Sequence, residues 1–469
     1  MGRIRKVHMV GIGGIGMSSI AEVLLRRGYE VTGSDLRSSE VTEHLEQIGA
    51  RIFEGHDADH VRDTHVVVYS SAVDPDNNLE TLKARQLRIP LINRSVMLAE
   101  LMRMKFGIGI AGTHGKTTTT TLAGLVVGRG GFDPTVVVGG KVAAFGSNAV
   151  FGEGDIIIVE ADEYDRTFLR LTPAIAVITT IDVDHLDTYQ DLEDICRAFV
   201  AFANSVPFFG AVVACIDDDN VRRALPDIER HIVTYGLNPQ AELRATHVVP
   251  EGLTMSFQVT RGDMALGMIR LPLPGEHNVR NALAAVAVGL ELSIPFVEIQ
   301  RALETFAGIE RRFEKLADSD EMVVVNDYAH HPGEVVATLS AARGAWPERR
   351  IIAVFQPHLY SRTASLAGEF AAAFAKADLL LLTPIYGARE QPMAGVTSEL
   401  IADEARRLGQ VVHVTNARSE VPDTVLRLAE AGDAVIVMGA GDIWREAHEL
   451  ADRVRKGATS ATARKGARN

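Results

Sequence analysis

Cysteine is nearly absent from this chain. Its 469 residues include two, Cys196 and Cys215, with no C-x-x-C pair and no disulfide framework. That excludes a disulfide-stapled scaffold and fits a reducing compartment, with both residues read as ordinary buried thiols. Long apolar runs are missing as well: none approaches the ~18 residues of a membrane span. The opening MGRIRKVHMVGIGG leads straight into a patterned strand. Neither a membrane helix nor a signal peptide is therefore expected, and the expected location is the cytoplasm. Positive charge is in deficit, with 48 Lys and Arg against 61 Asp and Glu and a net charge of −13. This argues against a sequence-independent nucleic-acid binder. A local exception follows Asp452, where Arg453, Arg455, Lys456, Arg464, Lys465 and Arg468 occur without an acid. Segment 456–469 is rich in Gly, Ala, Ser and Thr and lacks apolar periodicity, so it reads as a disordered basic tail.

What remains is ordinary globular composition, 46% hydrophobic and 23% charged. The length suits roughly three domains. Residues 1–104 read as a small α/β domain: strand Val7–Ile12, a glycine loop, a helix through Ile20, Val23 and Leu24, strand Glu30–Gly33, and strand Val66–Tyr69. Residues 105–312 contain strands Phe106–Ala111, Ile156–Glu160, Ala174–Thr179, Ala211–Ala214 and His231–Thr234. A β-rich stretch over Ala241–Leu273 and a helix over Val279–Leu290 complete that domain. Residues 313–455 add strands Met322–Asn326, Ile351–Phe355, Leu379–Thr383, Val411–Val414 and Ala434–Met438 with helical segments between them. Strands alternating with helices imply parallel sheets, which bind ligands beyond their strand C-termini.

The segment Gly112, Thr113, His114, Gly115, Lys116, Thr117, Thr118 follows a strand and opens a helix. Its glycines let backbone N–H groups turn toward phosphate oxygens, and the helix N-terminus adds partial positive charge. Lys116 is expected to reach the β- and γ-phosphates of ATP, and Thr117 to give a hydroxyl to Mg²⁺. The longer G-x-x-x-x-G-K-[ST] spacing needs glycine where Ile110 stands, so this is the shorter G-x-x-G-K-T form. A cation needs further oxygen ligands. Glu160 ends one strand, and Asp182, Asp184, His185 and Asp187 follow another. Asp162, Asp182 and Asp187 read rather as solvated loop acids, and His185 on its chemistry alone reads as a phosphate donor.

The first loop, Gly11, Gly13, Gly14, Ile15 and Gly16, satisfies G-x-G-x-x-G, with Asp35 ending the second strand and Ser70 and Ser71 following the third. The physics specifies a diphosphate on a helix N-terminus and an acid near a ribose hydroxyl. A UDP-sugar meets that description as well as NAD does. Two consecutive diphosphate sites suggest one nucleotide-linked substrate plus ATP.

Nine ordered segments together resemble the Mur ligases. They are HMVGIGGIGMSSIAEVL (8–24), AGTHGKTTTT (111–120), EADEYDRTFL (160–169), DVDHLDTY (182–189) and PGEHNVRNALAA (274–285). ERRFEKL (310–316), NDYAHHPGEV (326–335), VFQPHLYSRT (354–363) and GAGDIW (439–444) complete the set. The resemblance implies a three-domain α/β enzyme: a Rossmann-like UDP domain, a central P-loop ATPase domain, and a Rossmann-like C-terminal domain that closes over ATP and the amino acid. The implied reaction joins L-alanine to the lactyl carboxylate of UDP-N-acetylmuramate through an acyl phosphate, with ATP and two Mg²⁺ ions. A monomer or weak homodimer is expected, without nucleic-acid or membrane partners.

The resemblance also assigns roles. Lys116 neutralises the transferring phosphoryl group, Thr117 and Glu160 hold a first metal, and His185 serves a second. Asn278 and Asn281, three apart on one helix face, read adenine; unaided by the family, they read as a cap and a solvated amide. Arg312 contacts phosphate and Asp327 ribose. His330 and Arg362 orient the amino acid and reaction centre, although His331 could take the histidine's part. Leu359 stands where a second basic residue is expected, which removes one contact. Segment 191–204 lacks lysine, so the carbamylated lysine of some Mur ligases is absent, as suits the alanine-adding branch. The alternatives are a muropeptide-recycling ligase that adds a tripeptide, a folylpolyglutamate-type ligase lacking the first domain, and a non-catalytic UDP-sugar or NAD-binding protein.

Overall fold

The computed structural model describes residues 4–142, 147–164, 166–183, 188–388 and 390–466. Among the described residues three sheets carry the fold. The first holds β1 (Lys6–Val10), β2 (Glu30–Asp35), β3 (Arg51–Glu54), β4 (Val66–Tyr69) and β5 (Leu91–Asn93), all parallel, in the order β3-β2-β1-β4-β5. Val10 lies opposite both Ser34 and Tyr69, so the ends of three strands deliver Gly11, Asp35 and Ser70 to one edge.

The second sheet has ten strands. They are β6 (Phe106–Ala111), β7 (Thr135–Val142), β8 (Ser147–Val150), β9 (Ile156–Ala161), β10 (Ile175–Ile178), β11 (Ala211–Cys215), β12 (Ile232–Gly236), β13 (Leu243–Glu251), β14 (Thr254–Arg261) and β15 (Met264–Leu271). Their order is β15-β14-β13-β12-β11-β10-β6-β9-β7-β8. Strand β6 is central and parallel to both neighbours, with Ala111 opposite Ala161 and Ile178. Its glycines are packing devices. A Cβ on Gly107 would come within 2.4 Å of Met102, so the strand and the preceding helix touch only because it is missing.

The third sheet contains β16 (Glu314–Asp318), β17 (Met322–Asp327), β18 (Ile351–Phe355), β19 (Leu379–Leu382), β20 (Val412–Val414) and β21 (Asp433–Met438), in the order β16-β17-β21-β18-β19-β20. Strand β16 is the antiparallel edge and the other pairs are parallel. Strands β17, β18, β19 and β21 are buried along their whole length, as a parallel sheet covered on both faces requires.

Helix starts are set locally. Side-chain oxygens of Ser39, Asn78, Asn93, Asp191 and Asp218 accept from the first-turn amides of the helices they precede. Each such cap contributes about 1 kcal/mol. The final helix is Trp444–Gly466. Among the described residues no helix is long and apolar enough to cross a membrane. The chain forms two compact units. One comprises residues 1–246, 259–267 and 280–303, the other residues 247–258, 268–279 and 304–469.

Candidate active site

In the first unit, the ends of β6, β9 and β10 converge on one edge, and Gly112–Lys116 turns there into the helix Lys116–Arg129. Gly112 has φ +139°, and a Cβ on it would sit 1.9 Å from Thr179 Oγ1. Gly115 caps the helix at φ +83°. Backbone angles of this kind are open to glycine and close the loop tightly. The loop is pinned from β10's extension: Thr113 N donates to Thr180 O (2.9 Å), His114 N to Thr180 Oγ1 (3.0 Å), and Asp182 N to Thr113 Oγ1 (2.9 Å). Thr118 is buried beneath the loop, and Thr117 is half-buried in the first helical turn.

Lys116 Nζ donates to Gly112 O at 2.7 Å and to both carboxylate oxygens of Glu163, at 3.0 and 2.8 Å. Burial pulls its ammonium pKa down, but Glu163, Asp162 and Glu160 outweigh burial and hold it above the ordinary lysine value. Sequence reasoning missed Glu163 as the lysine's partner. Its side chain is almost wholly buried, and its main-chain carbonyl accepts from Tyr189 Oη at 2.7 Å. The signal was available in Glu160-Ala161-Asp162-Glu163, but four residues with three acids do not reveal which one faces the lysine.

Glu160 lies opposite Ile110 in the sheet register, with Oε1 shielded from solvent. The carboxylates of Glu163, Asp162 and Glu160 act on Lys116, and the Thr117 hydroxyl is next to it in the chain; oxygen donors of this kind suit Mg²⁺. Asp162 is exposed and Asp182 half-buried. Asp184, His185 and Asp187 lie outside the described residues.

Both asparagines fall on the helix Glu276–Glu291 and are buried, rather than one of them being a solvated amide. Asn281 Oδ1 accepts from Thr119 Oγ1 at 3.2 Å and lies 2.5 Å from where a Cβ on Gly115 would stand, so it backs the phosphate loop. Asn278 Nδ2 donates to Pro274 O at 2.7 Å.

At the first glycine loop, Gly13 N donates to Asp35 Oδ2 at 2.8 Å, and Gly11 and Ile12 both donate to Ser34 O. Gly14 precedes the helix Ile15–Arg26. Ser70 lies beside Gly11, Ser71 is exposed, and the Arg94 side chain packs on Gly16. Asp35 thus anchors the loop.

In the second unit, Asp327, Phe355 and Met438 stand in register at one sheet edge, which brings together the loops after β17, β18 and β21. Asp327 is buried and accepts from Phe313 N (2.7 Å), Ala329 N (2.8 Å) and Thr338 Oγ1 (3.3 Å). Burial raises its carboxyl pKa despite the opposing Arg312 charge. Arg312 lies 5.0 Å from the Tyr328 ring centroid. Its neighbour Arg311 grips Gly439 O and Gly441 O, a contact the sequence did not show. Between the two candidate histidines, His330 presents its ring to Tyr328 and to His358, with centroids 5.3 and 5.7 Å apart. His331 is buried at the start of the helix Pro332–Ala345. Arg362 is half-buried in the first turn of the helix Tyr360–Ala373, after Leu359 at φ +69°.

Comparison with known families agrees with this architecture. Residues 6–106 match the Mur ligase family catalytic domain, 110–289 the Mur ligase middle domain, and 311–441 the Mur ligase glutamate ligase domain. The chain belongs to the Mur ligase family. Among Mur ligases it is 59% identical over 446 residues to the UDP-N-acetylmuramate–L-alanine ligase of Salinibacter ruber, covering 95% of this chain and 94% of that one. The corresponding ligase of Pelobacter propionicus is 52% identical over 458 residues, covering 97% and 99%. The crystal structure of UDP-N-acetylmuramate–alanine ligase from Thermotoga maritima superposes with TM-score 0.80 at 29% identity, covering 96% of this Mur ligase and 99% of that chain.

Proposed function

We propose that this chain is an ATP-dependent ligase that joins L-alanine to the lactyl carboxylate of UDP-N-acetylmuramate in peptidoglycan precursor synthesis. The 59% identity to a ligase of that name, over nearly the full length of both chains, carries the reading. The phosphate loop supports it chemically. Lys116 sits at a helix N-terminus with a charge that a γ-phosphate can draw away from Glu163. The muramate carboxylate attacks that phosphate, giving an acyl phosphate and ADP. The alanine amine then adds to the acyl carbon, and phosphate leaves as the amide forms.

Thr117 and Glu160 would hold Mg²⁺, and His185 would serve a second ion. Such an ion offsets charge on phosphate oxygens when bound. Asn278 and Asn281 face adenine, Arg312 faces phosphate, and Asp327 faces ribose. His330, rather than His331, and Arg362 orient the amino acid. The loop Gly11–Gly16, with Asp35, Ser70 and Ser71, receives the UDP moiety. The enzyme works in the cytoplasm as a monomer or weak homodimer.

Phosphate release from ATP–Mg²⁺, with UDP-N-acetylmuramate and L-alanine added singly and together, tests this. Release that needs both, in step with formation of the alanyl product, is expected. Release with a tripeptide in place of alanine would assign the chain to muropeptide recycling. ATP binding without release under any pairing would make it a non-catalytic binder.

A further inference from the structure

Glu80 is a fully buried carboxylate outside the sites described above. It is the second residue of the helix Leu79–Gln86, and its own N–H donates to the capping Asn78 Oδ1 at 2.9 Å. A helix N-terminus favours negative charge. Four donors close on the carboxylate: His60 Nδ1 (2.7 Å) and His8 Nε2 (3.3 Å) at Oε1, Ser34 Oγ (2.6 Å) and His56 Nδ1 (3.0 Å) at Oε2.

These donors fill the acceptor sites of an ionised carboxylate. The other ring nitrogen of His8, Nδ1, lies 2.8 Å from Thr32 Oγ1, so the ring is held at both ends. The His60 ring is clamped by Phe53, stacked at 4.1 Å. Burial pushes the Glu80 pKa up, but the hydrogen bonds from His8, Ser34 and His60 prevail and hold it at about 2.

The donors come from separate parts of the first sheet: His8 from β1, Ser34 from β2, His56 from the loop after β3, and His60 from the short turn Ala58–Val61. Ser34 is the link to the glycine loop. Its hydroxyl is held by Glu80, while its carbonyl accepts Gly11 N at 2.8 Å and Ile12 N at 3.0 Å. The next residue, Asp35, accepts Gly13 N. An apolar core would avoid the desolvation of a buried anion. What four directed bonds add is a defined place for Ser34, and through it for the loop.

We propose that Glu80 is a positioning residue for the UDP-linked substrate: through Ser34 it fixes the loop Gly11–Gly16 in the shape that receives the diphosphate, with His8, His56 and His60 holding it in place. This rests on the reading of that loop as the diphosphate site.

The test is steady-state kinetics of full-length Glu80→Gln and Ser34→Ala against wild type. Losing a charged hydrogen bond that shapes the site should raise KM for UDP-N-acetylmuramate about tenfold in Glu80→Gln. Ser34→Ala should raise the same KM by a smaller factor. In both variants kcat and the KM values for ATP and L-alanine should stay within about twofold. An unchanged KM for the UDP substrate, with only the melting temperature lowered, would overturn the proposal, as would an equal rise in all three KM values. If Glu80→Gln does not fold, Ser34→Ala decides. Gly13→Val separates the two layers. If it leaves UDP-substrate binding intact, the diphosphate reading fails. If it abolishes binding while Glu80→Gln and Ser34→Ala change nothing, the positioning role alone fails.

Discussion

Lys116 and Glu163 form a buried ion pair, Nζ to Oε2 at 2.8 Å, inside the loop expected to receive a triphosphate. The lysine is therefore stored against a carboxylate that a phosphate must outcompete. Removing one partner of such a pair costs about 3–5 kcal/mol, because the other charge stays buried. Lys116→Met should lower unfolding free energy by a few kcal/mol, and Lys116→Met with Glu163→Gln should recover much of that loss. Both variants should be inactive in ligation and retain UDP-N-acetylmuramate binding. Urea unfolding of the four members of the cycle, with calorimetric titration of the sugar nucleotide, checks this. Additive losses would show that the two residues do not act as a pair.

Gly13→Val should abolish binding of UDP-N-acetylmuramate and spare ATP. A Cβ on Gly13 would stand 2.9 Å from Asp35 Oδ2 and 3.1 Å from Thr42 Cγ2, forcing the loop off its anchor. Titration with each ligand separately reads the result. Loss of ATP binding instead would reverse the assignment of the two glycine loops.

Glu80 predicts an acid limb of stability. Its pKa is depressed from 4.5 to about 2, so its contribution is complete above the ordinary carboxylate value and vanishes as pH falls through about 2. A shift of that size corresponds to at most about 3–4 kcal/mol. The stability gap between wild type and Glu80→Gln should shrink steadily as pH falls below about 4.5. Denaturant melts at a series of pH values measure it. A gap independent of pH down to 2.5 would contradict the ionised state.

Cys215 is buried in β11, and burial raises its thiol to about 11. Only the thiolate alkylates readily. At pH 8 iodoacetamide should label the native protein at Cys215 far more slowly than the denatured protein. Peptide mass spectrometry with time resolves the rates. Fast native labelling would mean that β11 opens.

Much of the fold was legible because buried parallel strands write themselves as apolar runs: Phe106–Ala111, Ile351–Phe355 and Asp433–Met438 lie within a residue of where the sequence suggests. Strands β3 and β16 were not legible. Arg51–Glu54 and Glu314–Asp318 are edge strands with charged ends, and their apolar residues are too few to show a period. The phosphate loop was legible because glycine and lysine are demanded at fixed offsets. Its counter-ion was not. Glu163 rather than Asp162 faces the lysine; Arg166 N donates to the Glu163 carbonyl, and the Arg166 side chain lies over Tyr189 and pairs with Asp194. None of those partners is adjacent in sequence. Likewise Arg311 and Arg312 are indistinguishable as a pair of letters, and only the fold gives Arg311 the carbonyls of Gly439 and Gly441.

The middle of the third sheet is made last. Strand β21 lies between β17 and β18, yet it follows both in the chain, with Met438 more than a hundred residues after Asp327. A growing polypeptide that has already emitted β17, β18, β19 and β20 therefore carries two half-sheets with a slot between them and unpaired edges facing it. Exposed edges of this kind invite pairing with other chains. Translation must pass Met438 before the slot can fill. A stop codon upstream of Asp433 would leave a nascent chain prone to aggregation, instead of a shortened but folded protein.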